Sequence, residues 1–179
     1  METRIAKINI SHAGGTASKS SKTCKVTLPN TWLEQMGITA EDRTLELSFD
    51  GETIVLRKRQ SVTEFVGAKQ AMGHSLKKLN YYDGEKLCTT IYADFSDHTI
   101  AVENFEKDPV KTAFGTCMLP DWEDFMGFLE ERCIARHRAG LREYLHELNL
   151  DAYDPMTIIQ KTEGRMAEDH QWLKIEVVP

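Results

Sequence analysis

The chain of 179 residues predicts an α+β fold: a hairpin-rich N-terminal region, a linking helix and a small mixed C-terminal domain. Three observations predict it. Lys25-Val-Thr-Leu-Pro-Asn-Thr-Trp-Leu-Glu-Gln-Met-Gly-Ile38 reads as a strand stopped by proline, then a short helix, and two further strand patterns follow it. Ser61-Val-Thr-Glu64 is a capping box in front of a helical apolar pattern. Beyond it, hairpin and amphipathic-helix patterns alternate to the end of the chain. The corresponding regions are 1–60, 61–86 and 87–179.

In the first region, Lys7–Ile10 and Cys24–Leu28 read as hairpin mates around a Ser11–Thr23 loop of Gly, Ser, Thr, Ala and lysine. Pro29 has no N–H to give a ladder, so the second strand ends there. Asn30 is a suitable N-cap for a helix from Thr31, and Gly37 suits the left-handed residue that closes it. Trp32, Leu33 and Met36 give that helix one apolar face. Asp50-Gly51 matches a two-residue type I′ turn, which would set Phe49 opposite Glu52, Leu47 opposite Ile54 and Leu45 opposite Leu56. Glu46 and Ser48 then point the other way, leaving one apolar hairpin face. So little chain cannot cover that face, and a second copy is expected to do so.

The capping box opens a helix carrying Val62, Phe65, Val66, Met72, Leu76 and Leu79 on one side, with Gly67 and Gly73 weakening it and Lys77-Lys78 at its end. Cys88–Phe95, a Ser96-Asp97-His98 turn and Thr99–Glu103 read as a hairpin. Asp121 caps a helix with Trp122, Phe125, Met126, Leu129 and Cys133 as its apolar stripe. A helix over Arg138–Leu148, another opened by Asp154-Pro155 and stopped at Gly164, and a strand from Trp172 to Val178 complete the expectation.

Hydrophobic residues make up 41% and charged residues 28%, as in an ordinary globular protein. No apolar run approaches a membrane span, no leader pattern opens the chain, and Cys24, Cys88, Cys117 and Cys133 show no paired spacing, so a cytoplasmic setting is expected. The net charge of −6 is uneven. Residues 1–60 carry nine Lys/Arg against seven Asp/Glu, whereas residues 121–179 carry seven against thirteen. Six histidines lack metal spacing, the serines lack a nucleophile elbow, and Asp94, Asp97 and Glu103 read as an acidic turn rather than a nuclease carboxylate set. No enzyme activity, metal or cofactor is expected.

Val26-Thr27-Leu28-Pro29, Trp32-Leu33 and Met36-Gly37-Ile38 resemble the core of the AbrB/MazE/SpoVT family of swapped-hairpin DNA-binding domains, and the resemblance covers Arg4 to Arg59. It implies a dimeric β-barrel in which two chains interleave their hairpins. It also implies that the basic residues of the first hairpin face double-stranded DNA: Lys7, Lys19, Lys22 and Lys25, with Arg4 nearby. The best-known members use arginines in a tighter loop. Lysines are point charges suited to phosphates rather than guanine edges.

Arg132, Arg136, Arg138 and Arg142 gather around a helix junction in the acidic part of the chain. They either pair with Glu130, Glu131, Glu143 and Glu147 on helix surfaces or form a docking patch for an acidic partner or nucleic acid. Thr112-Ala-Phe-Gly115, Trp122-Glu-Asp-Phe125, Arg132-Cys133, Thr162-Glu-Gly-Arg165, Glu168-Asp169 and Trp172 are similar to C-terminal regions of mobile-element proteins of Firmicutes. Some small proteins of that setting resemble anti-CRISPR inhibitors. The expected function is a homodimeric DNA-binding regulator, of transcription or of antitoxin type, from a bacterial or phage mobile element. The alternative is an inhibitor that binds a CRISPR-associated nuclease and blocks its DNA recognition or cleavage.

Overall fold

Pro29 divides the first hairpin from the first helix, as its missing N–H requires. The structure, a computed structural model, describes residues 2–12 and 21–178. It divides into two compact units, Met1–Arg59 and Gln60–Pro179. Mixed helices and antiparallel sheets make it α+β.

In the first unit, β1 (Asn9–His12) pairs with β2 (Lys22–Lys25). Both strands lie closer to the intervening loop than the expected Lys7–Ile10 and Cys24–Leu28. Residues 2–8 and 26–29 have no strand pairing. The helix α1 (Asn30–Gln35) starts one residue early: the Pro29 carbonyl accepts from Trp32 N–H and Leu33 N–H, and Asn30 makes no side-chain cap. Gly37, at φ +70°, closes it as expected, with Ile38 N–H donating to Leu33 C=O at 2.9 Å.

The next hairpin, β3 (Leu45–Phe49) with β4 (Ile54–Lys58), sets Phe49 opposite Ile54 and Leu47 opposite Leu56. The expected two-residue turn is therefore a four-residue loop. Its cause is the Asp50 carboxylate, whose Oδ1 accepts from Glu52 N–H (2.9 Å) and Thr53 N–H (2.7 Å). The register moves by two residues, and a shift of two preserves which side chains share a face. Leu45, Leu47, Phe49, Ile54 and Leu56 still lie together.

The second unit begins with α2 (Val62–Ala71), whose Ser61–Glu64 capping box forms as read. The expected linking helix over 61–86 is corrected here. Gly73, at φ +77°, and the His74 N–H to Lys69 C=O bond end α2, and Leu76–Asp83 is the strand β5. Central position explains the misreading. β5 is paired on both edges and loaded on both faces, so Leu76, Leu79, Asn80 and Tyr81 are all buried and no clean alternation survives. The sheet order is β7-β6-β5-β8, all antiparallel, with β6 (Lys86–Asp94), β7 (Thr99–Asn104) and β8 (Gln171–Val178).

Three α-helices follow β7, after a short 3-10 turn at Pro109–Lys111. In α3 (Trp122–Glu131) Asp121 caps Glu123 N–H and Asp124 N–H, and Phe125, Phe128 and Leu129 are buried. α4 (Leu141–Glu147) is shorter than the expected Arg138–Leu148, because Gly140 at φ +83° precedes it. α5 (Pro155–Thr162) is capped by Asp154 and ends before Gly164. The core joins Leu79, Tyr81, Ile91, Ala93 and Leu173 of the sheet to Phe125, Leu129, Met156 and Ile159 of α3 and α5. Each large side chain buried there is worth about 1.5–3 kcal/mol. Among the described residues, no helix is long and apolar enough to cross a membrane.

Candidate nucleic-acid interface

The β1–β2 register decides how the basic residues of the first unit are displayed. Asn9 pairs with Lys25, Ile10 with Cys24, Ser11 with Thr23 and His12 with Lys22. Paired residues share a face, so Lys25 and Lys22 emerge on opposite faces of a narrow ribbon. Lys7, Lys22 and Lys25 are exposed and make no ion pair among the described residues. Lys19 lies outside the described residues. A two-stranded ribbon is thin enough to enter a major groove, and lysines on both faces would reach phosphates on both walls.

Arg4 is placed differently. Its guanidinium donates to Glu2 Oε1 from Nε (2.9 Å) and Nη2 (2.6 Å) and lies 5.5 Å from the Trp32 ring centroid. Trp32 Nε1–H donates to Glu2 Oε2 at 2.9 Å. The Trp32 hydrogen bond, then the Arg4 one, holds the Glu2 carboxyl below its ordinary range. Arg4, Lys7, Thr27, Pro29 and Trp32 border a hollow of about 400 Å³. Arg4 is thus committed to an internal pair. His12, opposite Lys22, joins the ribbon, and only the register reveals it.

The four arginines of the second unit separate into different roles. Arg132 is corrected from a docking residue to a structural clamp, with only 7 % of it exposed. Nε–H donates to Gly164 C=O (3.0 Å), Nη1 to Asp169 Oδ2 (2.5 Å), and Nη2 to Asp169 Oδ1 (3.1 Å) and Gln171 C=O (2.8 Å). That fork ties the end of α3 to the α5–β8 connection. A Cβ at Gly164 would meet Arg132 Cβ at 3.3 Å, so glycine permits the approach. Its partner was not among the expected glutamates. Asp169 is 37 positions along the chain, and no helical spacing points to it. Arg136 does pair with Glu130, at 2.7 Å, and its guanidinium lies 4.2 Å from the Tyr153 ring centroid. Arg138 and Arg142 are exposed.

The acidic turn acquires two basic partners. Asp94 is fully buried at the end of β6, its Oδ2 2.6 Å from His74 Nδ1 and 3.4 Å from Lys69 Nζ, while Oδ1 accepts from Ser96 N–H at 2.8 Å. Lys69 also donates to Asp97. Burial pushes the Asp94 carboxyl up, but His74, the Ser96 amide and Lys69 outweigh it and hold Asp94 well below the carboxylate range. Desolvation opposes the Lys69 charge, and its hydrogen bonds to Asp97 and Asp94 prevail, raising its pKa. Among the described residues, His74, Asp94 and Asp97 are the set whose donor atoms lie close enough to hold a metal ion. The Lys69 ammonium contacts both carboxylates and so ties α2 to the β6–β7 turn. Glu103, on β7 opposite Thr90, is not part of it.

Comparison of the chain with protein-family models, with curated proteins and with solved structures returns no match.

Proposed function

We propose that the chain is a homodimeric DNA-binding regulator from a bacterial or phage mobile element, acting in the cytoplasm. The first unit would pair with that of a second copy in the swapped-hairpin manner of the AbrB/MazE/SpoVT family and grip double-stranded DNA through β1, β2 and their loop. One observation carries this reading. No described residue of the first unit is buried, yet Ile8, Ile10, Leu47, Phe49 and Ile54 are each more than half exposed. Two hairpins that pair only with themselves are half of a core, and a second copy supplies the other half. The unpaired lysines of the ribbon supply phosphate contacts, so affinity is expected to exceed base discrimination.

The test joins sedimentation equilibrium with mobility shifts on duplex DNA at two salt concentrations. A dimer at micromolar concentration and a complex that weakens with salt are expected. Changing Lys19, Lys22 and Lys25 together to Ala should weaken binding on every duplex and flatten the salt dependence by roughly one unit per lost contact. A folded monomer that binds no duplex at low salt would overturn the reading. In that event the second reading takes its place: an inhibitor acting through the acidic second unit on a nucleic-acid-handling protein such as a CRISPR-associated nuclease. The thirteen Asp/Glu against seven Lys/Arg of residues 121–179 favour it.

A further inference from the structure

The second unit carries an open cleft of about 700 Å³, between α3 and the segment from Pro109 to Cys117, floored by Tyr81, Phe114 and Phe128. Its walls are fixed internally. Tyr81 O–H donates to Gln171 Oε1, Gln171 Nε2–H donates to Val110 C=O at 3.2 Å, and Ala113 N–H donates to Thr89 Oγ1 at 3.2 Å. The cleft is therefore held in shape rather than formed by loose loops.

Along α3, Glu123, Gly127 and Glu131 stand four residues apart and all border the cleft. Glu123 and Glu131 are exposed, and their carboxylates have no hydrogen-bond or ion-pair partner among the described residues. Lys111 pairs with Asp83 at 2.9 Å, and Arg132, which also borders the cleft, pairs with Asp169. Neither cation is matched to Glu123 or Glu131. Gly127 has no internal reason to be glycine. It sits inside the helix, and a Cβ there would meet nothing within 4 Å. Glycine weakens a helix, and here it leaves the backbone open toward the cleft between two free carboxylates. Exposed Val110 adds an apolar wall to the same cleft.

We infer that this cleft docks a segment of a partner protein in which a lysine or arginine is flanked by apolar residues. The backbone of the segment would approach α3 over Gly127, its cation would pair with Glu123 or Glu131 on either side, and the apolar neighbours would cover Phe114 and Val110. Charge complementarity selects this occupant over nucleic acid, which the same carboxylates repel. Every residue involved belongs to the second unit, so the inference stands apart from DNA binding by the first.

Immobilised full-length protein is panned against a random twelve-residue peptide library, and enriched peptides are synthesised and titrated by calorimetry. Peptides with one or two Lys or Arg beside apolar residues should be enriched, and replacing Arg by its neutral isostere citrulline should weaken them at least tenfold. Glu123→Gln with Glu131→Gln should weaken binding at least tenfold, as should Gly127→Leu. Glu143→Gln with Glu147→Gln, on α4, should change it less than twofold. Near-ultraviolet circular dichroism confirms that each variant is folded, and Gly127→Ala serves in place of Gly127→Leu if the larger residue is not tolerated. A library yielding no cationic consensus overturns the inference. So do enriched peptides that bind both cleft variants at wild-type strength, or that weaken equally with the α4 control.

Discussion

Replacing Arg132 by Ala tests how the second unit is held together. The side chain is 7 % exposed and makes four hydrogen bonds: two to Asp169 and one each to the carbonyls of Gly164 and Gln171. Its removal strips both carbonyls of that donor and leaves Asp169 without its counter-charge. Breaking a buried pair from one side costs about 3–5 kcal/mol. The Asp169 side chain is 30 % exposed and can regain water, so the expected loss lies near the lower end, about 3 kcal/mol. Arg132→Lys should recover little, since one ammonium cannot replace a fork that bonds at three sites.

The pH dependence adds a second check. Arg132 holds the Asp169 carboxyl below its ordinary range, chiefly through their hydrogen bonds. A depressed acid contributes stability above its unfolded pKa of about 3.9 and loses it as pH falls through the folded value. The gap between wild type and Arg132→Ala should therefore narrow below about pH 4. Urea denaturation of the full chain in a Trp32→Phe background, where Trp122 and Trp172 report the second unit, measures the midpoint shift at common slope. A loss under about 1 kcal/mol, or full retention by Arg132→Lys, would refute the clamp.

Gly127→Ala should raise the stability of the second unit by up to about 1 kcal/mol, because the new methyl enters open space and only helix propensity changes; an unchanged or lower thermal midpoint would show that the glycine has an internal role. Leu47 is 63 % exposed within one chain, so Leu47→Ala should shift stability by less than about 0.5 kcal/mol if the first unit acts alone. The dimer predicts a loss of about 2–5 kcal/mol and a melting transition that depends on concentration. Asp94→Asn should cost about 2–3 kcal/mol at neutral pH by leaving Lys69 and His74 without their shared carboxylate. Asp94 titrates below its ordinary range, so this difference should also fade on acidification below about pH 4 in acid-unfolding curves.

What the chain shows locally, it shows clearly. The capping box at Ser61 and Glu64, the Asp121 cap, Asp154-Pro155 and the closing glycines Gly37 and Gly164 act within a few residues, and each sits where its local chemistry demands. The apolar face of β3 and β4 was legible too, even with the register misplaced by two, because alternation is blind to an even shift. Of the basic ribbon, the residues could be named from the sequence, but the division of Lys22 and Lys25 between two faces required the pairing with Asn9 and His12.

Long-range partners decided the rest. Leu76–Asp83 carries apolar residues at spacings that serve a helix as well as a doubly covered strand, and the ladders to β6 and β8 made it a strand. Arg132 directly follows Glu130 and Glu131 yet turns to Asp169, since only the fold brings β8 and the Gly164 carbonyl to the end of α3. Lys69, His74, Asp94 and Asp97 become one charged cluster for the same reason. Sequence periodicity records which side of an element is apolar; which distant group meets an exposed or buried charge is set by chain topology, on which that periodicity is silent.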